Sequence, residues 1–422
     1  MIDKSRNDSM PNMELLDFLS DVKLDENVRE SLRVDMDKPI ALTASELGQY
    51  SLEKYGVDTG GKYAGIDLPH PFGKAAGQLS MKVGHVKTDR DNGLAFTVLK
   101  SAVGITEDGE IGINDWERSA PKMIVEKRKA RDGREGWTVT WKGRGWDKGF
   151  AAYVDFYKNA LEIDRDYPVI PSLMVDVTNP DRAYAQAEFC LGKLHEIHKS
   201  SGIGRDFLVE IDISPTMSLL PGAQDDETFR NYVRTSVVAF HKGLPSKGRC
   251  VVKIPNSGRG AEFQLNLVRI SIEESREKLA GLVIGNRLFD SEKVFEDQKG
   301  IAYGGFDLSD ANLELLDSMQ PYGNFPPLIG TGNIFSGKMM AEYAVRRCRA
   351  GELHTFFQLP ADVYRAKSGP DGRIGCVIRE LVFHPDDGLI AILFKLEKSG
   401  KLPRENGILS FDNLPMIRES LV

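Results

Sequence analysis

Eight short apolar runs, most of them followed by a helical pattern, restrict the folds open to this chain more than any other feature. They are Phe72-Gly-Lys-Ala-Ala-Gly77, Leu94-Ala-Phe-Thr-Val-Leu-Lys100, Pro168 to Val175, Phe207-Leu-Val-Glu-Ile-Asp-Ile213, Cys250-Val-Val-Lys-Ile254, Gly281-Leu-Val-Ile-Gly-Asn286, Leu328 to Gly330 and His354-Thr-Phe-Phe-Gln-Leu359. Apolar strands alternating with helices are buried on both faces, as in a parallel sheet covered by helices. Eight such units predict an α/β fold of the (β/α)8 TIM-barrel type, with a doubly wound open sheet as the alternative. At 422 residues the chain is long for one domain, but barrels with insertions reach that length. Active sites of barrels lie at the C-terminal ends of the strands, which selects Lys100, Asp212, Ser214, Lys253, Asn286 and the loop at Gly330.

The rest of the chain is arranged around that repeat. Residues 1–68 form a helical lead-in, with short amphipathic helices expected between Asn12 and Met36 and another from Ser45 to Tyr55. The barrel is assigned to 69–361 and a C-terminal extension, helical in parts, to 362–422. An insertion at 105–146 carries turn signals at Asp108-Gly109 and Asp132-Gly133, flanked by the alternating runs Lys122 to Glu126 and Gly136 to Trp141. These predict a β-hairpin insertion over the barrel mouth.

The stretch Leu328-Ile-Gly-Thr-Gly-Asn-Ile-Phe-Ser-Gly337 reads as strand, glycine turn and then helix, with the helix expected from Lys338 to Arg349. Backbone N–H groups at such a turn, together with the helix N-terminus, favour an anion. Lys100 and Lys253 each end a strand, where a lysine can face an anion or form an imine. A phosphate-bearing cofactor or substrate is therefore expected. The net charge of −7 argues against a nucleic-acid surface, and the basic clusters Lys127–Arg134 and Arg346–Arg349 read as solvated faces. The four cysteines lack metal-ligand or disulfide spacing, and His195 and His198 read as part of a surface helix, so no metal is expected. No run approaches about eighteen apolar residues, so neither a membrane span nor a signal peptide is expected, and the expectation is a soluble cytoplasmic protein.

Several pieces, taken in order, resemble the dihydroorotate dehydrogenase family, nearest its soluble class. They are Ala75-Ala76-Gly77, Thr97-Val-Leu-Lys100-Ser101, Gly149-Phe150 with Tyr153 and Tyr157, and Val209-Glu-Ile-Asp-Ile-Ser214-Pro215. Val252-Lys253-Ile-Pro255, Asn286, Gly304-Gly305 and the Leu328–Gly337 stretch follow, so that the likeness runs from Pro69 to Leu359. The resemblance implies an FMN-binding barrel and, by analogy with soluble relatives, a homodimer. It implies that Lys253 sits at the flavin pyrimidine edge, that Lys100 and Ser101 touch flavin near the substrate, and that Ala75, Ala76, Gly77, Asp212 and Asn286 belong to the same site. Gly304, Gly305, Gly330, Thr331, Gly332 and Asn333 are implied to surround the ribityl phosphate.

The departures matter equally. The family's Asn-Leu-Ser-Cys-Pro-Asn reads here Asp212-Ile-Ser-Pro-Thr216, without the cysteine that serves as base in the soluble class. The amides that bind orotate are mostly replaced, and a site built to pair a pyrimidine loses heavily when they change, so dihydroorotate is not the expected substrate. Gln358-Leu359-Pro360 stands in the place expected for a second phosphate element, where proline donates no N–H. The leading expectation is a flavin-dependent oxidoreductase acting on a small polar or anionic molecule. Lys100, Trp141, Lys142, Arg144, Asn286 and Arg287 would bind the substrate, and Asp212, Ser214 or Thr216, with Lys100, would do the chemistry. A flavin-free barrel lyase or isomerase for a phosphorylated substrate, using Lys253 or Lys100, and a non-catalytic barrel scaffold stay open beside it.

Overall fold

A computed structural model describes residues 14–38, 41–112, 122–142, 145–295 and 298–422. Its centre is an all-parallel sheet of ten strands, curled like a TIM-type half-barrel. In spatial order the strands are Ala102–Val103, Ser172–Met174, Phe207–Asp212, Gly248–Lys253, Leu279–Ile284, Leu328–Thr331, Cys348–Leu353, Phe72–Lys74, Thr97–Val98 and Val169–Ile170. Parallel neighbours need crossovers, and the long helices Pro180–Ser200, Asp226–Gly243, Ala261–Ser275 and Phe306–Met319 supply them.

Period-2 alternation sorts each strand between two environments. Val209, Ile211, Cys250, Val252, Leu282 and Ile284 face outward and join Leu191, Leu194, Val233, Val237 and Phe240 from the helices in one buried cluster. The intervening Leu208, Val251, Val283, Ile329 and Ala350 turn the other way and pack with Phe96, Val98 and Ile170 in a second, interior cluster. Each large aliphatic side chain so enclosed stabilises the fold by about 1.5–3 kcal/mol.

Seven of the eight expected runs contain a strand of this sheet, and the eighth is displaced. The strand is Cys348–Leu353, whereas Thr355–Gln358 within the expected run is a 3-10 turn. The displacement follows from the preceding helix, which spans Gly337–Ala344 instead of running to Arg349. Arg347 takes a left-handed φ of 74° and reverses the chain. Arg346 is fully buried and ion-paired with Glu342 at 2.8 Å and Asp317 at 2.9 Å, so this basic cluster is not a solvated face. His198 is another correction: it is buried against Tyr157 Oη (3.2 Å) and the Arg205 carbonyl (2.9 Å).

The lead-in folds as helices Glu26–Asp37 and Ala44–Tyr55, the second opened by a Thr43/Glu46 capping box. The first packs on Gly372–Phe383 of the C-terminal extension, and Arg29 pairs with Asp386 at 2.6 Å. The predicted hairpin forms as Lys122–Lys129 against Glu135–Lys142. A second hairpin, Leu288–Phe295 against Gln298–Tyr303, was not expected. It packs on the first through an Arg128–Asp290 pair at 2.8 Å and the Arg128 guanidinium stacked 3.6 Å above the Tyr303 ring. Among the described residues, no helix is long and apolar enough to cross a membrane.

Arg346→Ala leaves the buried Glu342 without its cation and is expected to cost about 3–5 kcal/mol in chemical denaturation. A loss below about 1 kcal/mol, the range of exposed pairs, would contradict the buried geometry.

Candidate functional site

The same alternation that buries Leu208 and Val251 beneath the site sends polar residues inward at the C-terminal ends of the strands. Lys100, Ser172, Glu210, Asp212, Lys253 and Glu352 stand there above the apolar interior layer. Strand register ties them laterally: Ser172 is opposite Glu210, Asp212 opposite Lys253, and Thr331 opposite Glu352.

Lys253 forms the floor. Its Nζ lies 2.7 Å from Glu352 and 3.6 Å from Glu210, all three side chains being almost wholly buried. Tyr63 donates to Glu352 at 3.2 Å. Burial alone would lower the Lys253 pKa, but Glu210, Glu352 and Asp212 outweigh it and hold the ammonium protonated. Burial, with Glu352 beside it, pushes Glu210 well above the ordinary carboxyl range against the pull of Lys253. Burial thus favours the protonated form of Glu210, while Glu352 is the nearer partner of the cation.

Asp212 occupies the rim of this group. Ser101 Oγ donates to its Oδ2 at 2.5 Å, and Asn286 Nδ2 donates to its Oδ1 at 3.0 Å and to the Ile213 carbonyl at 3.1 Å. Ser101 Oγ lies 2.9 Å from Ser172 Oγ, which lies 3.0 Å from Glu210 Oε1. Arg287 follows Asn286 and donates to the Val139 carbonyl of the first hairpin, tying the mouth to the strand end. Lys100 is buried, and burial lowers its pKa to about 8 against the attraction of Asp212, with Lys253 and Arg287 reinforcing the fall. His354 is held neutral by burial and by Arg287, Lys74, Lys100 and Lys253 around it. Gln358 Nε2 donates to its Nδ1 at 2.8 Å.

Two glycine turns close the other end. Gly304-Gly305, with φ 88° at Gly305, leads into the helix Phe306–Met319. Gly332 (φ 92°) and Asn333 (φ 55°) follow the strand Leu328–Thr331. Asn312 Nδ2 donates to the Thr331 carbonyl at 2.7 Å, and Tyr343 Oη donates to the Thr331 and Gly332 carbonyls at 2.6 and 3.0 Å. Asn333 Nδ2 donates to Ser309 Oγ at 3.2 Å. Gly304 N–H donates to Thr138 Oγ1 of the first hairpin at 2.9 Å, and glycine turns of this kind suit an anion through the amides that stay uncommitted. The cleft holds about 1020 Å³ of empty space, its open mouth included.

Of the residues singled out in the sequence, Ala75, Ala76, Lys100, Asp212, Ser214 and Lys253 line this cleft. So do Asn286, Arg287, Gly304, Gly305, Thr331, Gly332 and Asn333. Three are displaced from their expected places. A side chain at Gly330 would meet the Tyr343 ring at 2.7 Å, so that glycine serves helix packing. One at Gly77 would meet the His354 imidazole at 2.1 Å. Ser101 is fully buried below the lining and acts through Asp212. Arg144 lies outside the described residues, as do the side chains of Trp141, Lys142 and Thr216. The displaced eighth strand also corrects the second phosphate element: His354-Thr355, not Gln358-Leu359-Pro360, follows the strand, and Thr355 lines the cleft.

Glu210, Ser172, Glu352 and His354 were missed. Alternation in Val209-Glu-Ile-Asp-Ile213 could have found Glu210, which shares a strand face with Asp212. Glu352 and His354 were hidden by the misplaced strand. No protein-family model matches this chain, and no curated protein matches it.

A cation buried at Lys100 weighs on stability, by on the order of 3 kcal/mol at neutral pH. Its folded pKa, about 8, is below the ordinary 10.5, so the unfolded chain binds the extra proton between these values and stability rises with pH across that window. Lys100→Met is expected to raise stability at pH 7, with the gain shrinking as pH climbs through the window. Thermal unfolding at both ends checks it, and a destabilised variant at pH 7 would contradict the assignment.

Proposed function

We propose that the chain is an FMN-dependent oxidoreductase of the dihydroorotate dehydrogenase type, acting on a small polar or anionic substrate other than dihydroorotate. The observation that carries this reading is convergence. Residues scattered from Ala75 to Asn333, which the resemblance nominates one by one, line a single cleft at the C-terminal edge of the sheet. The finer architecture, a closed (β/α)8 barrel, belongs to the same proposal. One edge strand, Ala102–Val103, follows Thr97–Val98 after Leu99-Lys100-Ser101, and the other, Val169–Ile170, is separated from Ser172–Met174 by Pro171 alone. The two edges are thus made of the same pair of chain segments, which supports counting each segment once.

The donor set fits FMN. The glycine turns at Gly304-Gly305 and Gly332-Asn333 would hold the phosphate, and Thr355 adds a lining residue at the second element. Lys253 would stand at the flavin pyrimidine edge, its charge shared with Glu352. FMN bound in this way supplies two-electron hydride chemistry. The chain's own residues supply charge and protons: Lys100 and Arg287 orient an anionic substrate, and Asp212 at the rim holds or releases the proton. Asp212 already accepts from Asn286 and Ser101, so it does not offer the paired amide contacts that orotate requires.

FMN titration tests the reading. A Cβ at Gly304 has room, its nearest neighbour being Leu308 at 3.7 Å, so Gly304→Val should fold normally while filling the cradle. The wild type is expected to take up FMN, and Gly304→Val is expected to lose uptake with unchanged thermal unfolding. No uptake by the wild type, or equal uptake by both, would sink the proposal.

One observation favours a second reading. A buried lysine brought to about 8 is suited to imine formation, as a flavin-free lyase acting on a phosphorylated carbonyl substrate would need. Borohydride treatment with a phosphorylated aldehyde, followed by peptide mass analysis, would tag Lys100 in that case and leave it unmodified in the flavin case.

A further inference from the structure

Behind Asp212 runs a chain of hydroxyls that the reaction as proposed does not yet use. Ser101 Oγ donates to Asp212 Oδ2 at 2.5 Å. With that proton committed outward, the 2.9 Å contact between Ser101 and Ser172 is open to the Ser172 proton. Ser172 Oγ lies 3.0 Å from Glu210 Oε1, donating to it when Glu210 is a carboxylate and accepting from it when Glu210 carries the proton. With Glu210 protonated, all hydrogen bonds in the row point from Glu210 to Asp212. Ser101, Ser172 and Glu210 are each 0% exposed, so no bulk water competes for these positions, while Asp212 lies on the cleft.

We propose that Glu210 is a buried proton store, wired through Ser172 and Ser101 to Asp212, which exchanges that proton with whatever occupies the cleft. The step conserves atoms and charge. The Glu210 O–H bond breaks as Ser172 Oγ gains a proton; Ser172 passes its own proton to Ser101, and Ser101 passes its own to Asp212. Glu210 ends as a carboxylate and Asp212 as a carboxylic acid.

The groups around Glu210 make both ends of this exchange accessible. Lys253, 3.6 Å from Glu210 Oε2, favours the carboxylate. Burial first, then Glu352 and Asp212, favour the acid. Tyr153 fixes the middle of the row, its hydroxyl accepting from the Ser172 amide at 3.0 Å and contacting the Ser172 carbonyl at 3.1 Å. Use of the row during turnover rests on the oxidoreductase reading, where it would stand in for the missing cysteine. Its existence does not.

Infrared spectroscopy of the purified protein, without substrate or added flavin, tests the row directly. The wild type is expected to show a carboxylic-acid C=O band at neutral pH that is absent in Glu210→Gln and displaced in Ser172→Ala, where the acceptor of its proton is gone. On transfer to D2O the wild-type band is expected to shift promptly through the hydroxyls. In Ser172→Ala the shift slows by about tenfold or more, because exchange then waits for local opening. A wild type without such a band overturns the store. A band that neither moves nor slows in Ser172→Ala overturns the wire, since the proton would then face Glu352. A colourless protein would remove the flavin reading and leave this result standing, so the two failures are separable.

Discussion

One buried ammonium organises the centre of this molecule. Lys253 ends a strand whose other inward residue, Val251, belongs to the apolar interior, so its charge must be met within the site. Glu352 meets it directly at 2.7 Å, while Glu210, 3.6 Å away, is pushed toward its protonated form by burial. Removing one partner of such a group leaves a buried charge uncompensated, at a cost of about 3–5 kcal/mol, which ties the strand of Glu352 to the mutually adjacent strands of Glu210 and Lys253. From that floor the lateral connections run to Ser172, Ser101 and Asp212, then to Asn286 and, through Arg287, to the hairpin over the mouth.

The scaffold makes this arrangement possible by separating tasks along each strand. Lower inward positions carry Leu208, Val251 and Ala350 and supply apolar burial. Upper inward positions carry Glu210, Asp212, Lys253 and Glu352, which contribute little favourable burial and much chemistry. Lys100 shows the cost most plainly, since it is held in a setting that disfavours its charge. Stability supplied by the outer helices offsets that cost, as is common where a site departs from local rules.

The strand order, the first hairpin and the helical lead-in were legible because each has a periodic signature: apolar runs, alternation around Asp132-Gly133, and the Thr43–Glu46 cap. The eighth strand was not, because Arg346-Arg-Cys-Arg349 reads as a basic helix end. What ends the helix is the left-handed turn at Arg347 and the ion pairs that bury Arg346, neither of which is periodic. That error hid Glu352 and made Pro360 stand where His354-Thr355 belongs. The second hairpin escaped because its apolar residues do not alternate, Leu288-Phe289 and Val294-Phe295 flanking the polar Asp290-Ser-Glu-Lys293, with a register shift between Asp290 and Val294. Lys100, Asp212, Lys253 and Asn286 were found because strand ends are privileged positions in a parallel sheet. Ser172 lies inside the Pro168–Val175 run without a strand-end signal, and Glu210 was readable only from its alternation with Asp212.

The most direct measurement of the central claim is the absorbance spectrum of the freshly purified protein, with mass identification of any chromophore released by heat. The account predicts the bands of oxidised flavin and the mass of FMN. A colourless protein that also remains colourless after incubation with FMN and removal of the excess would contradict it.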